Sequence, residues 1–231
     1  MKKQELEAFS QGKNLMDLME EEQFESKTKV VSTLIKGKKA AKEEIFCSLD
    51  KKGKCINKTD LKMPLMLIFA TDLNGEKELF PRESLFKLLE GLMILNIRVV
   101  VIDTVQPSDL NNLSDFGGQN SSHITWYNPK VDNSGQGSEE KEIDRLLLAA
   151  DMAMIFNSHQ DLSKLLLSYG VVLVAEEKSP FLENYRPNEE VGNSFLYAKK
   201  DMWSVFAALV RALETYKFPY DWQHIVRNML K

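Results

Sequence analysis

The sequence predicts an α/β fold: a mostly parallel sheet flanked by helices, preceded by a helical extension. Three observations carry that reading. After residue 60, apolar runs of strand length alternate with amphipathic helical patterns, the arrangement of βαβ units. The runs are almost continuously hydrophobic, as strands covered on both faces must be. Before residue 60 the chain is charged and helical in pattern. Two units follow, a helical extension with a lead-in helix over 1–60 and the α/β domain over 61–231.

Within the extension, Leu6, Phe9, Leu15, Leu18 and Met19 form one apolar stripe. A second comprises Val30, Val31, Leu34, Ile35, Ala41, Ile45, Phe46 and Leu49. Neither stripe can be buried by its own helix, so each must dock on its own domain or on another chain. A homodimer or a heteromeric protein partner is the expectation. Lys36-Gly37-Lys38-Lys39 lies among Glu20, Glu21, Glu22, Glu43 and Glu44, and reads as a solvated face rather than a phosphate or nucleic-acid patch. The stretch 50–62, with Gly53, is the loop into the first strand.

In the domain the candidate strands are 65–70, 97–102, 123–127, 152–156 and 171–174. Helices are expected over 82–95, 139–149 and 162–168, then from the N-cap Asp201 and after Pro219. Segments 117–122 and 128–137 are rich in turn residues and read as surface loops.

Composition sets the bounds. The chain has 231 residues, 43% of them hydrophobic and 28% charged, enough for one full α/β domain plus an extension. A net charge of −4 gives no argument for nucleic acid or an acidic membrane, and no nucleic-acid partner is expected. No apolar run approaches the roughly 20 residues that span a bilayer, so no membrane association is expected. The N-terminus lacks the apolar segment of a signal peptide, and a cytoplasmic location is the expectation. Cys47 and Cys55 read as two reduced thiols.

Four segments follow one another in the last third: Ala149-Ala150-Asp151-Met152-Ala153-Met154-Ile155, Tyr169-Gly170-Val171-Val172-Leu173-Val174, Gly192-Asn193-Ser194-Phe195-Leu196-Tyr197, and Asp201-Met202-Trp203. Their order resembles the C-terminal half of the glycogen and starch synthases, a family of GT-B glycosyltransferases. The resemblance covers roughly residues 36–231 and implies a Rossmann-like domain without the N-terminal half of such an enzyme. It places a Gly-x-Gly-Phe turn at Gly192 and a helix whose core stripe is Trp203, Phe206, Ala207, Val210, Leu213 and Tyr216.

In an open parallel sheet, ligands bind beyond the carboxyl ends of the strands. After the first strand the resemblance implies an arginine and a lysine that hold the nucleotide diphosphate. Lys77 matches the lysine; Asp72 stands in place of the arginine, with Glu76 and Glu78 beside it. Three carboxylates repel a pyrophosphate. After the second strand, Asp103-Thr104-Val105 lacks the glycine turn that admits a ligand. Tyr127 aligns with an aromatic that packs on adenine; strand-end packing is the alternative.

The resemblance then implies two glutamates of a Glu-x7-Glu pair. Gln160 lies near the first and Lys164 near the second, in a loop about three residues short. Neither side chain can steady positive charge at an anomeric carbon. His159 beside Asp161 reads as a helix cap, supplied by Asp161 or Asn157. Further on, Lys178-Ser179-Pro180-Phe181 replaces a glycine turn that meets phosphate, and proline has no amide hydrogen.

The sequence therefore carries no catalytic residues, no metal site and no cofactor. It reads as a degenerate synthase-like domain acting as a binding or protein-interaction module, whose nucleotide contacts, if retained, are Lys77 and Tyr127; a surface lysine paired with Glu76 or Glu78 is the alternative for Lys77. Two other readings stay open: one subunit of a split, retaining glycosyltransferase using ADP- or UDP-glucose, and a sensor that binds a sugar nucleotide or glucan weakly.

Overall fold

The computed structural model describes residues 15–49, 62–73, 77–92, 94–103, 123–128, 139–156, 159–178, 180–198 and 201–229. Side chains of 15–26, 46–49 and 139–142 are not included in that description. Cys47 and Cys55, the stripe at Leu6 and Phe9, and the loops at 117–122 and 129–137 fall outside it.

Six strands form one all-parallel sheet in the order β3-β2-β1-β4-β5-β6. They are β1 (Leu65–Phe69), β2 (Arg98–Ile102), β3 (Ile124–Tyr127), β4 (Met152–Ile155), β5 (Val172–Glu176) and β6 (Ser194–Tyr197). This is a doubly wound, Rossmann-like order whose switch point lies between β1 and β4. All five residues of β1 are buried because each face meets a different layer. Met66 and Ile68 point into one core, Leu65, Leu67 and Phe69 into the other. β2, β4 and β5 alternate the same way, so an uninterrupted apolar run is what a central strand here requires.

One face is covered by α2 (Arg82–Leu92), α5 (Met202–Tyr216) and α6 (Pro219–Asn228), the other by α3 (Glu139–Ala149) and α4 (Gln160–Ser168). Asp201 caps α5 by accepting the Ser204 N–H at 2.9 Å, and Pro219 opens α6, both as the sequence implies. The buried stripe of α5 is Val205, Ala208, Leu209, Ala212 and Leu213, rotated from the one expected. Trp203 is consequently 84% exposed, and Phe206 lies half-buried against Gly91 of α2. β6 is a further correction: the segment expected as a turn pairs with β5 from Ser194 to Tyr197. Its outer edge is covered in part by 183–186, since the Tyr185 N–H donates to Ser194 O at 2.8 Å.

The two expected helical patterns of the extension meet in one helix, α1 (Leu15–Leu49), and Gly37 does not break it. Its apolar residues divide between the cores. Val31, Leu34 and Ile35 pack with the α2/α5/α6 layer, Ala41 and Ile45 with the α3/α4 layer. So α1 passes beneath the amino ends of the strands, and the crossing is where Lys38 and Lys42 turn inward. The solvated reading of that basic cluster is overturned for Lys38, which is 7% exposed.

Both lysines have defined work. The Lys42 ammonium donates to Asp151 Oδ2 at 2.5 Å, and the same oxygen accepts the Leu65 N–H at 2.8 Å. Asp151 thereby ties α1 to the starts of both β4 and β1. The Lys38 ammonium donates to Ala150 O at 2.6 Å, next to the last turn of α3, where a cation meets the negative end of the helix dipole. Burial lowers its pKa from 10.5 to about 8, against the raising effect of Asp151, with Lys42 adding to the lowering. Gly170 completes the fit. It ends α4 in a left-handed Schellman turn (φ 63°), and a Cβ there would meet Leu34 Cδ2 at 2.5 Å.

Removing one partner of a buried ion pair costs about 3–5 kcal/mol. Asp151→Ala leaves the Lys42 ammonium without its partner and removes the nearby negative charge felt by Lys38, so it is expected to reach that range in urea unfolding and to exceed Lys42→Ala. The double change Lys42→Met with Asp151→Leu should recover much of the loss, because no charge is left buried. Lys38 predicts a pH dependence. Below about pH 8 it is charged in both folded and unfolded chains; from about 8 to 10.5 only the folded chain has released the proton, so stability rises with pH. The rise amounts to at most about 3 kcal/mol. It should disappear in Lys38→Met, measured as urea midpoints at pH 7.5 and 10.

Candidate functional site

The carboxyl ends of β1 and β4 flank the switch point, so the residues just beyond them are the candidate site. Following β1, the chain folds back on itself: Thr71 bridges Glu78, and Leu79 and Phe80 donate their N–H groups to Ala70 O. Asp72, where the resemblance implies an arginine, holds this turn closed. Its N–H donates to Lys77 O at 2.9 Å and its Oδ1 accepts the Lys77 N–H at 3.2 Å. The Lys77 side chain is exposed at the turn, Glu78 is exposed beside it, and Glu76 lies outside the described residues.

The turn delivers Phe80 into the core under the α2/α5/α6 layer. Phe80 is fully buried against Phe156, which ends β4, with ring centroids 4.6 Å apart. Phe156 meets Tyr197 at 6.4 Å. The Tyr197 hydroxyl donates toward Phe156 O at 2.8 Å and Ile155 O at 3.1 Å, satisfying carbonyls at the end of β4. Burial, and then the Glu176 charge, push this phenol well above its usual range. An aromatic chain thus runs from Phe80 through Phe156 to Tyr197 within one core.

Tyr127 ends β3, half-buried against the α3/α4 core, and its carbonyl accepts the Asp103 N–H at 3.1 Å. Lys77 and Tyr127 share the carboxyl edge, with β2 between their strands. Two buried carboxylates that the sequence reading did not assign lie along this edge. Asp103 receives the Arg82 guanidinium at 3.4 Å, and Glu176, 4% exposed, holds Lys178 at 2.8 Å. Their signal was position: each is the acidic residue at, or just after, the end of an apolar strand. A carboxylate buried there is met by a cation reaching in from the solvent side, because burial removes much of its water.

His159 itself is the N-cap of α4. Its Nδ1 accepts the Leu162 N–H at 3.2 Å, in place of the Asp161 or Asn157 cap expected, and its carbonyl accepts the Ser163 hydroxyl at 2.8 Å. Asp161 falls in the first turn, where its charge suits the helix dipole. Gln160 is exposed, and the Lys164 ammonium lies over the Phe181 ring, 4.5 Å from its centroid. His224 Nδ1 lies 3.3 Å from Glu190 Oε2, and its ring makes a tilted contact with Tyr220 on the α6 side, away from His159. Among the described residues there is no group of three metal-ligating side chains. No described helix is long and apolar enough to cross a membrane.

No family model matches the sequence, and no curated protein matches it. Solved structures share the fold. The catalytic domain of starch synthase IV from Arabidopsis thaliana bound to ADP and acarbose superimposes with a TM-score of 0.59 at 14% identity, over 84% of this chain and 38% of that one. A glycosyltransferase from Rickettsia africae ESF-5 gives 0.50 at 10% identity, over 82% and 46%. The chain therefore spans less than half the length of either. Both are glycosyltransferases, and the likeness establishes for this chain a Rossmann-like domain of the GT-B kind.

A cap built by His159 predicts a stability effect independent of any chemistry. His159→Ala should cost about 1 kcal/mol in thermal or urea unfolding, whereas His159→Asn, whose side-chain oxygen can take over the Leu162 N–H, should cost less than half of that.

Proposed function

We propose that this chain is a catalytically degenerate glycosyltransferase-type domain that works by binding, as a protein-interaction module. The observation that carries the reading is the state of α4. Where the resemblance calls for two carboxylates beside a donor sugar, Gln160 is exposed and Lys164 is a cation engaged with Phe181. Retaining glucosyl transfer develops positive charge at the anomeric carbon, and an ammonium there raises the barrier.

The rest of the carboxyl edge supports the same reading. Asp72 occupies the arginine position and is engaged in closing a turn. Replacing an arginine with an aspartate removes a charge-assisted hydrogen bond of roughly 1.5–3 kcal/mol and adds repulsion. Each 1.4 kcal/mol is about tenfold in affinity, which takes a micromolar site to the millimolar range.

Calorimetry on the full chain is expected to give dissociation constants above about 1 mM for ADP, UDP and their glucose conjugates. Labelled donors should deposit no glucose on glycogen. Binding tighter than about 50 μM that Lys77→Ala abolishes would replace this reading with a sugar-nucleotide sensor. Glucose incorporation above a boiled control would overturn it outright.

A further inference from the structure

Beyond β6, at the side of the sheet away from the switch point, a groove of about 450 Å³ runs between α4, the 180–183 segment and the end of α6. That size is within the range of small-molecule sites. Leu167, Leu182 and Met229 give it an apolar lining, and Phe181, 40% exposed, stands at its rim.

Its walls are fixed by amide side chains. Asn193 Oδ1 accepts the Glu183 N–H at 3.0 Å while its Nδ2 donates to Phe181 O at 3.0 Å. Asn228 Nδ2 donates to Glu190 O at 2.9 Å and Gly192 O at 3.0 Å. Gly192 is required here: its φ is 98°, and a Cβ would fall 2.4 Å from Asn184 O.

The charges lining the groove are unequal. The Glu183 carboxylate is bound by Arg186 at 3.0 Å. Lys164 has no carboxylate within ion-pair distance among the described residues, and its ammonium rests on the Phe181 ring at 4.5 Å. A cation–π contact leaves ammonium hydrogens available to an anion.

We propose that this groove binds small amphiphilic carboxylates, the apolar body lying along Leu167, Leu182 and Met229 and the carboxylate on Lys164. The groove shares Lys164 and Phe181 with the segments the resemblance places beside a donor sugar, but neither Lys77 nor Tyr127 lines it, so carboxylate binding here is read independently of nucleotide binding.

The test is a titration of the full chain with octanoate, with octanol and octylammonium as matched controls, followed by amide and methyl NMR shifts. Octanoate is expected to saturate with shifts confined to Lys164, Leu167, Phe181, Leu182 and Met229, at least tenfold tighter than octanol, with octylammonium weakest. Lys164→Glu and Lys164→Gln, both at an exposed position and checked for unchanged thermal midpoints, should each weaken octanoate at least tenfold and leave octanol unchanged. Equal affinity for octanoate and octanol, shifts spread outside the groove, unsaturable binding, or Lys164 variants that bind as tightly as the parent chain would each overturn the proposal.

Discussion

A buried lysine–aspartate pair, Lys42 with Asp151, sits at the amino edge of the sheet beside a second buried lysine, Lys38, and the architecture is arranged around them. Isolated charges cannot be taken out of water at tolerable cost, so each must be met by groups held in place beforehand. Asp151 is held by the Leu65 N–H at the start of β1, and Lys38 by the Ala150 carbonyl after α3. Lys42 also reaches the Tyr216 hydroxyl at 3.3 Å, and Trp222 packs edge-on against Tyr216 at 5.0 Å. One cluster therefore fixes the position of α1 against β1, β4, α3 and α5 together. A purely apolar helix could slide along such an edge; this one has a register.

The opposite edge follows a different logic. At a ligand-binding edge, polar side chains are expected to wait for a partner from outside. Here they have partners within the chain: Asp72 closes a turn, His159 caps α4, Asp103 takes Arg82, Glu176 takes Lys178, and Tyr197 satisfies carbonyls of β4. The fold shared with the two solved glycosyltransferase structures is set by core positions, and those report packing whatever the edge does.

Legibility followed the same division. Central strands were readable because burial on both faces forces an apolar run, as in Leu65 through Phe69. The sixth strand was not, since Ser194 and the half-buried Leu196 interrupt its run and Gly192-Asn193 reads as a turn. The α5 stripe was misplaced because Met202, Trp203, Phe206 and Val210 offer a second apolar face next to the buried one, and only the contact with Gly91 and the sheet chooses between them. Lys38 and Lys42 were the least readable of all. Charge is visible in a sequence, but desolvation depends on what the other end of the chain brings to the same place. His159 was obscured by neighbours of higher capping propensity, a preference that tertiary context overrode.

If the lysine–aspartate cluster makes α1 an integral part of the domain, the helix must open only when the domain does. Native-state hydrogen exchange across a series of low urea concentrations measures this directly. The amides of residues 31–45 should exchange with the same opening free energy and denaturant slope as those of β4. Exchange of 31–45 through a separate opening of much lower free energy, with β4 still protected, would contradict the account.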